Sequence, residues 1–196
     1  MERVITSHSV GDPAAFLTLS VLETRFAAGP RAPSDRGRVG MLVTRHSGGR
    51  RETLERVALT PEFGMPGDSW SRQRHPVPDA QLAVMQLDVA RLIANGQPLT
   101  LFGDQMFLDL DLSDANLPPG TLLRAGTATL AVTPEPHNGC RKFRARFGDD
   151  ALRFVSTREW RHLNLRGVYM RVIEPGDIAQ DDPVQVLQRP QQRRAG

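Results

Sequence analysis

Thr121-Leu122-Leu123-Arg124-Ala125-Gly126-Thr127-Ala128-Thr129-Leu130-Ala131-Val132-Thr133 is the stretch whose reading decides the fold. It alternates over its whole length, with Gly126, Ala128, Leu130 and Val132 on one side. A period of two marks a strand with one buried face. Small residues on that face suit a crowded barrel interior or a bend.

Working outward, the same period recurs. Met106 to Leu112 alternates strictly and reads as a strand with one buried face, while Val39–Thr44, Glu52–Leu59 and Gln81–Met85 read as three more. Gly167–Glu174 and Pro183–Leu187 read as two strands joined through Pro175-Gly176-Asp177 as a hairpin. Helical spacing is confined to a few places. Phe16, Leu19, Leu22 and Phe26 predict a helix within Pro13–Ala27, and Asp88–Asn95 predicts a second ended by Asn95-Gly96. Many short strands with few helices predict a mainly β protein with peripheral helices, an α+β barrel with mostly antiparallel strands. Residues 1–37 are expected to pack on that barrel as a helix and loop, 38–188 to form it, and 189–196 to be a disordered tail.

Composition narrows the functional classes. The 196 residues suit one domain, and 39% apolar content is enough for an ordinary core. No apolar run approaches the ~20 residues needed to cross a bilayer, and Met1–His8 lacks the apolar segment of a secretory signal. A lone cysteine fits a reducing compartment, so a cytoplasmic location is expected, with no membrane partner. The net charge of +3 is carried without a basic stripe, a helix-turn-helix or a zinc-finger spacing. Nucleic acid is therefore not an expected partner; a small anionic ligand or cofactor accounts for the local Arg and Lys residues equally well.

Familiar catalytic motifs are missing. Gly48-Gly49 and Gly64-Met65-Pro66-Gly67 lack the spacing and lysine of a P-loop. The histidines at 8, 46, 75, 137 and 162 have no paired zinc spacing. No nucleophile elbow surrounds a serine.

One residue stands out. Cys140, the only cysteine, follows Thr133-Pro134-Glu135-Pro136-His137-Asn138-Gly139, a run of turn formers that rules out a regular element. Beyond it, Phe143 and Phe147 lie four apart among Arg141, Lys142, Arg144 and Arg146, as on a short amphipathic helix, with Ala151–Val155 as a second short helix. Helix starts favour anions, and thiolate is the form of cysteine that attacks electrophiles and binds soft metals. A small buried apolar side chain is the competing reading for Cys140. The local sequence leaves both open.

Taken in order, several segments resemble the MOSC domain, named for the C-terminal domain of molybdenum-cofactor sulfurase. They are Gly64–Asp68, Leu101–Gln105, Asp109–Ser113 with Asn116–Gly120, Pro136–Cys140, Arg166–Val172, and Gly176-Asp177 through Asp182–Val184. The resemblance spans about residues 38–188 and implies a β-barrel with peripheral helices. It implies that Cys140 either ligates the molybdenum of a pyranopterin cofactor or carries sulfur as a persulfide. It further implies cofactor-binding roles for Arg45, Arg72, Arg141 and Lys142, with His137, Asn138 and Gly139 shaping the turn and Asp104 or Asp68 handling protons.

Some members of the family reduce small N-hydroxylated bases, and the family also carries a pyridoxal phosphate label. Two departures are visible. Gln105 stands where asparagine is common, and no ferredoxin-type cysteine cluster is present, so a separate electron- or sulfur-donor protein is implied. The sulfur-carrier role and a non-catalytic binding module are the alternatives to reduction.

Overall fold

The computed structural model describes residues 5–7 and 10–190, with side chains from residue 10. Eleven strands are present among them: β1 (Ile5–Ser7), β2 (Arg36–Arg45), β3 (Arg50–Leu54), β4 (Arg56–Leu59), β5 (Leu82–Gln86), β6 (Met106–Asp109), β7 (Leu122–Ala125), β8 (Ala128–Val132), β9 (Val168–Glu174), β10 (Gly176–Ala179) and β11 (Pro183–Gln188). Seven close into a barrel in the order β2-β11-β7-β8-β9-β5-β6, with β6 pairing back onto β2. Every pairing in the ring is antiparallel except β5–β6. The alternating pattern therefore predicted the architecture correctly.

Two apolar clusters divide the alternation between them. Leu42, Val84, Met106, Leu108, Leu130 and Met170 point into the barrel. Their neighbours Val43, Met85 and Phe107 point outward, under α2 (Leu87–Ala94) and α3 (Arg141–Ser156). The sequence reading gave Met106–Leu112 one buried face, but Met106, Phe107 and Leu108 are all fully buried. A barrel wall covered by helices excludes water from both sides of the strand.

Three further expectations change. The 121–133 run is a hairpin, because Gly126 reverses the chain between β7 and β8. Glu52–Leu59 divides at Glu55, with β3 joining β2 while β4 pairs with β10 in a separate two-stranded sheet. The expected hairpin of Gly167–Glu174 with Pro183–Leu187 does not form. β9 joins β8 and β5, while β11 sits between β2 and β7. The intervening β10 is the cause, since its pairing with β4 carries the chain across before β11 begins.

The N-terminal helix is shorter than its apolar spacing predicted. α1 (Leu19–Ala28) starts where the Thr18 hydroxyl accepts the Val21 amide, and it packs against α2 and α3. Phe26 meets Phe154 and Trp160 at ring distances of 5.8 and 5.7 Å. Of the expected disordered tail, residues 191–196 lie outside the described residues, as does His8. Arg189 is anchored, donating to the Asn116 carbonyl at 2.7 Å and pairing with Asp35 at 2.7 Å.

Gly167 shows how tightly β9 enters the barrel. Its φ is +97°, and an added Cβ would lie 2.1 Å from the Val84 carbonyl oxygen of β5. Backbone cannot yield there without breaking β5–β9 pairing. Gly167→Ala should therefore lose at least ~3 kcal/mol of unfolding free energy in urea. Gly48→Ala, at a φ of +68° with open space around it, should lose only about 1–2 kcal/mol. Equal losses would contradict this packing.

Candidate functional site

The candidate site forms where the loop after β8 meets the segment before β6. Residues 133–140 lead to Cys140, which caps the start of α3 in extended conformation. Phe143 and Phe147 face inward from the first turns of that helix, and Phe147 stacks on Phe102 at 4.2 Å. This stacking holds the helix start beside Gly103 and leaves Cys140 exposed at the mouth of a cavity. The buried-cysteine reading is thereby excluded. Gly148 breaks α3 in the middle, so the two short helices expected from sequence are both present.

Two carboxylates lie under the cavity with no exposure to solvent, Asp68 and Asp104. Asp68 accepts Arg45 Nη2 at 2.6 Å and Nε at 2.9 Å, plus the backbone amides of Arg45 and Trp70 at 2.8 Å each. Burial alone would raise its pKa. The Arg45 contacts and the two amides outweigh that, and the carboxyl is held below its usual range. Arg45 Nη1 then donates to the Gly103 carbonyl at 2.9 Å, tying the loop to the pair.

Asp104 receives both of its contacts from Arg166 Nη1, at 2.9 and 3.0 Å. His137 Nδ1 stands 3.6 Å away, beyond hydrogen-bond reach. Its ring lies against Tyr169 at 4.3 Å. Burial, helped by the Arg166 charge, pushes the imidazole down to about 3, so His137 is neutral near pH 7. Gln105 is a buried strut rather than a pocket side chain. Its Oε1 accepts the Ala83 amide at 2.7 Å, and its Nε2 reaches the Gln81 carbonyl at 3.0 Å and Asp68 at 3.3 Å.

The cavity itself measures about 330 Å³. Of the residues singled out from sequence, Arg45, Lys142 and Cys140 line it. Arg72 stands behind Arg45, donating to the Arg45 carbonyl at 2.9 Å, while Arg141 and Asn138 are exposed outside the lining. Gly139 fits against α3, where a Cβ would meet Leu152 at 2.4 Å. Asp68 and Asp104 anchor arginines instead of facing the space. No cluster of three metal-ligating His, Cys, Asp or Glu exists among the described residues.

Sequence reasoning missed Arg51, Arg146 and Arg166, which complete the lining. Arg146 and Arg166 are only 8% and 7% exposed. Each of the three has an Nε without a hydrogen-bond partner. A signal for Arg146 existed: it falls at i+3 from Phe143 and directly before Phe147, on the apolar stripe of its own helix. A charge on the buried stripe of a helix needs a partner, and among the described residues the Arg146 Nε has no hydrogen-bond acceptor. The cavity thus joins an exposed thiol to a wall of cations, an arrangement chemically suited to a soft-metal centre carried on an anionic ligand.

Comparison with known proteins bears on the family and the fold. The family model described as the MOSC domain matches residues 67–185. The fold is similar to that of YuaD from Bacillus subtilis, at 14% identity and a TM-score of 0.59 over 78% of this chain and 97% of that one. YiiM from Escherichia coli is similar at 22% identity and a TM-score of 0.51, covering 78% and 71%. A crystal structure of a hypothetical protein gives 21% identity and a TM-score of 0.56, covering 79% and 69%. At these identities the likeness is one of fold. No curated protein matches the chain.

The depressed His137 pKa has a measurable consequence. Between about pH 6.5 and 3 the unfolded chain takes up a proton at this position and the folded one does not. Stability from this group is therefore complete above pH 6.5 and lost as pH falls, by up to ~1.4 kcal/mol per unit. In His137→Phe, which keeps an aromatic ring against Tyr169, the slope of unfolding free energy over that window should shrink. An unchanged slope would show that the buried imidazole is not the group responsible.

Proposed function

The chain belongs to the MOSC domain family, a group associated with molybdenum-cofactor binding in sulfurases, and from that premise we propose that its cavity binds a molybdenum–pyranopterin cofactor, with Cys140 as metal ligand, and reduces a small N-hydroxylated substrate. One observation carries the reading. An exposed thiol and three guanidinium groups with unpartnered Nε atoms, those of Arg51, Arg146 and Arg166, line the same cavity.

The residues fit such a group. Thiolate is a soft donor suited to molybdenum, and buried guanidinium groups favour the negative charge of a phosphorylated pterin. When bound, the cofactor supplies two-electron reduction. Cys140, exposed and in the cavity lining, would hold the metal. Phe143 and Phe147, both nearly fully buried, form the apolar side and keep the helix start fixed.

Asp68 and Asp104 hold Arg45 and Arg166 in place and do not deliver protons, because each carboxylate is spent on its guanidinium. Lys142, exposed in the lining, would be the side chain placed to pass protons in from solvent, and a separate donor protein would supply electrons.

A second reading rests on the exposure of Cys140. A thiol open to solvent can carry a persulfide to a partner without any metal. Molybdenum and labile sulfur separate the two.

The test is molybdenum content of protein expressed in a host with an intact cofactor pathway. Wild type should carry the metal, and Cys140→Ser should lose most of it, because a neutral hydroxyl is a poorer donor than thiolate. Equal metal in both would remove the ligand role. Metal in neither, with cyanide-releasable sulfur on wild type alone, would establish the sulfur carrier instead.

A further inference from the structure

Five arginine and lysine side chains reach the cavity, yet they are not equivalent. Arg45 is neutralised by Asp68 and Arg166 by Asp104. His46, also in the lining, is paired with Glu52 at 2.9 Å. What remains is Arg51, Arg146 and Lys142. Arg51 spends Nη1 on the carbonyls of Gly49 and Arg50, at 2.9 and 3.2 Å, and leaves Nε without a partner. The Arg146 guanidinium makes no hydrogen bond or ion pair among the described residues, although the residue is only 8% exposed.

That state is costly. An unpaired buried charge loses its hydration and gains nothing in return. Arg51 is pushed down to about 10 by burial and then by the charges of Arg146 and Arg45. Arg146 is lowered chiefly by burial; the nearby Cys140 sulfur offsets part of this, and Arg166 adds to it. No carboxylate lines the cavity among the described residues, so an entering anion would relieve them.

We infer that Arg51, Arg146 and Lys142 form a self-contained dianion subsite, and that the unloaded protein takes up inorganic phosphate there as an exchangeable placeholder. A tetrahedral dianion suits the site, because two guanidinium groups and a lysine side chain line the same cavity and its oxygens accept from several charged donors. Free phosphate then competes with the phosphorylated cofactor for the same arginines, which makes loading sensitive to phosphate concentration. The inference builds on the cofactor reading for this competition. Phosphate binding itself requires neither metal nor thiol.

The experiment is calorimetric titration of inorganic phosphate into cofactor-free protein at pH 7, with ionic strength held constant by chloride. Wild type, Arg51→Gln, Arg146→Gln and Arg141→Gln are compared, with thermal unfolding measured on each. Wild type should bind at one site and rise in Tm with phosphate. Arg51→Gln and Arg146→Gln should each weaken binding by at least ~10-fold, the scale of losing one charge-assisted hydrogen bond. Arg141→Gln, outside the lining, should bind like wild type.

Arg146→Gln carries a second signature. Without phosphate its Tm should equal or exceed that of wild type, because a strained charge has been removed. An unfolded variant would contradict that directly. No binding to folded wild type, or equal binding to Arg146→Gln, would overturn the inference. Phosphate binding by a protein that never acquires molybdenum would sink the cofactor reading and leave the subsite standing. Molybdenum loading without phosphate binding would do the reverse.

Discussion

Two carboxylates without solvent can exist beneath this cavity only because each meets a guanidinium in close geometry. The rest of the site follows from that constraint. Asp68 fixes Arg45, and Arg45 reaches across to the Gly103 carbonyl. The 101–105 loop is thereby held, and Phe102 on it stacks against Phe147 of α3. The helix start, with Cys140 as its cap, is placed by that stack. On the other side, Asp104 fixes Arg166, whose guanidinium lies 5.1 Å from the Phe143 ring centre. Removing either carboxylate would leave Arg45 or Arg166 without its charged partner and loosen one wall of the cavity.

Charge is distributed with a purpose in this arrangement. Two of the cavity arginines are neutralised from below and serve as scaffold, while Arg51 and Arg146 are left to whatever enters from above. An apolar wall on one side, Phe143 and Phe147, lowers the local dielectric and strengthens both kinds of contact. The exposed thiol sits at the rim, where a ligand held by the arginines would present its far end. Binding at such a site restores charge balance, so the loaded state is expected to be the more stable one.

Much of the fold was legible because alternation is a local signal. The strands around Val39–Thr44, Gln81–Met85 and Gly167–Glu174 stand where their apolar residues placed them. What was illegible depended on partners distant in sequence. Nothing local in Pro183–Leu187 says that it pairs with β2 and β7 instead of β9. Likewise, Met106-Phe107-Leu108 looks half-buried until helices cover its outer face. For the site, the turn formers before Cys140 and the basic helix after it left two readings open, and its exposure at the helix start removed the buried one. Arg51 and Arg146 were not singled out, since an arginine on a strand or helix reads as solvated until the burial around it is known. Asp68 and Asp104 were found by resemblance, but their place beneath the cavity, paired with Arg45 and Arg166, is a fact of three dimensions.

The central claim is that Cys140 and the cation-lined cavity act on one ligand, with the thiolate on its metal. X-ray absorption at the molybdenum edge of loaded protein tests this most directly. Wild type should show one more sulfur scatterer around the metal than Cys140→Ser reloaded with the same cofactor. The same sulfur shell in both proteins would contradict the account.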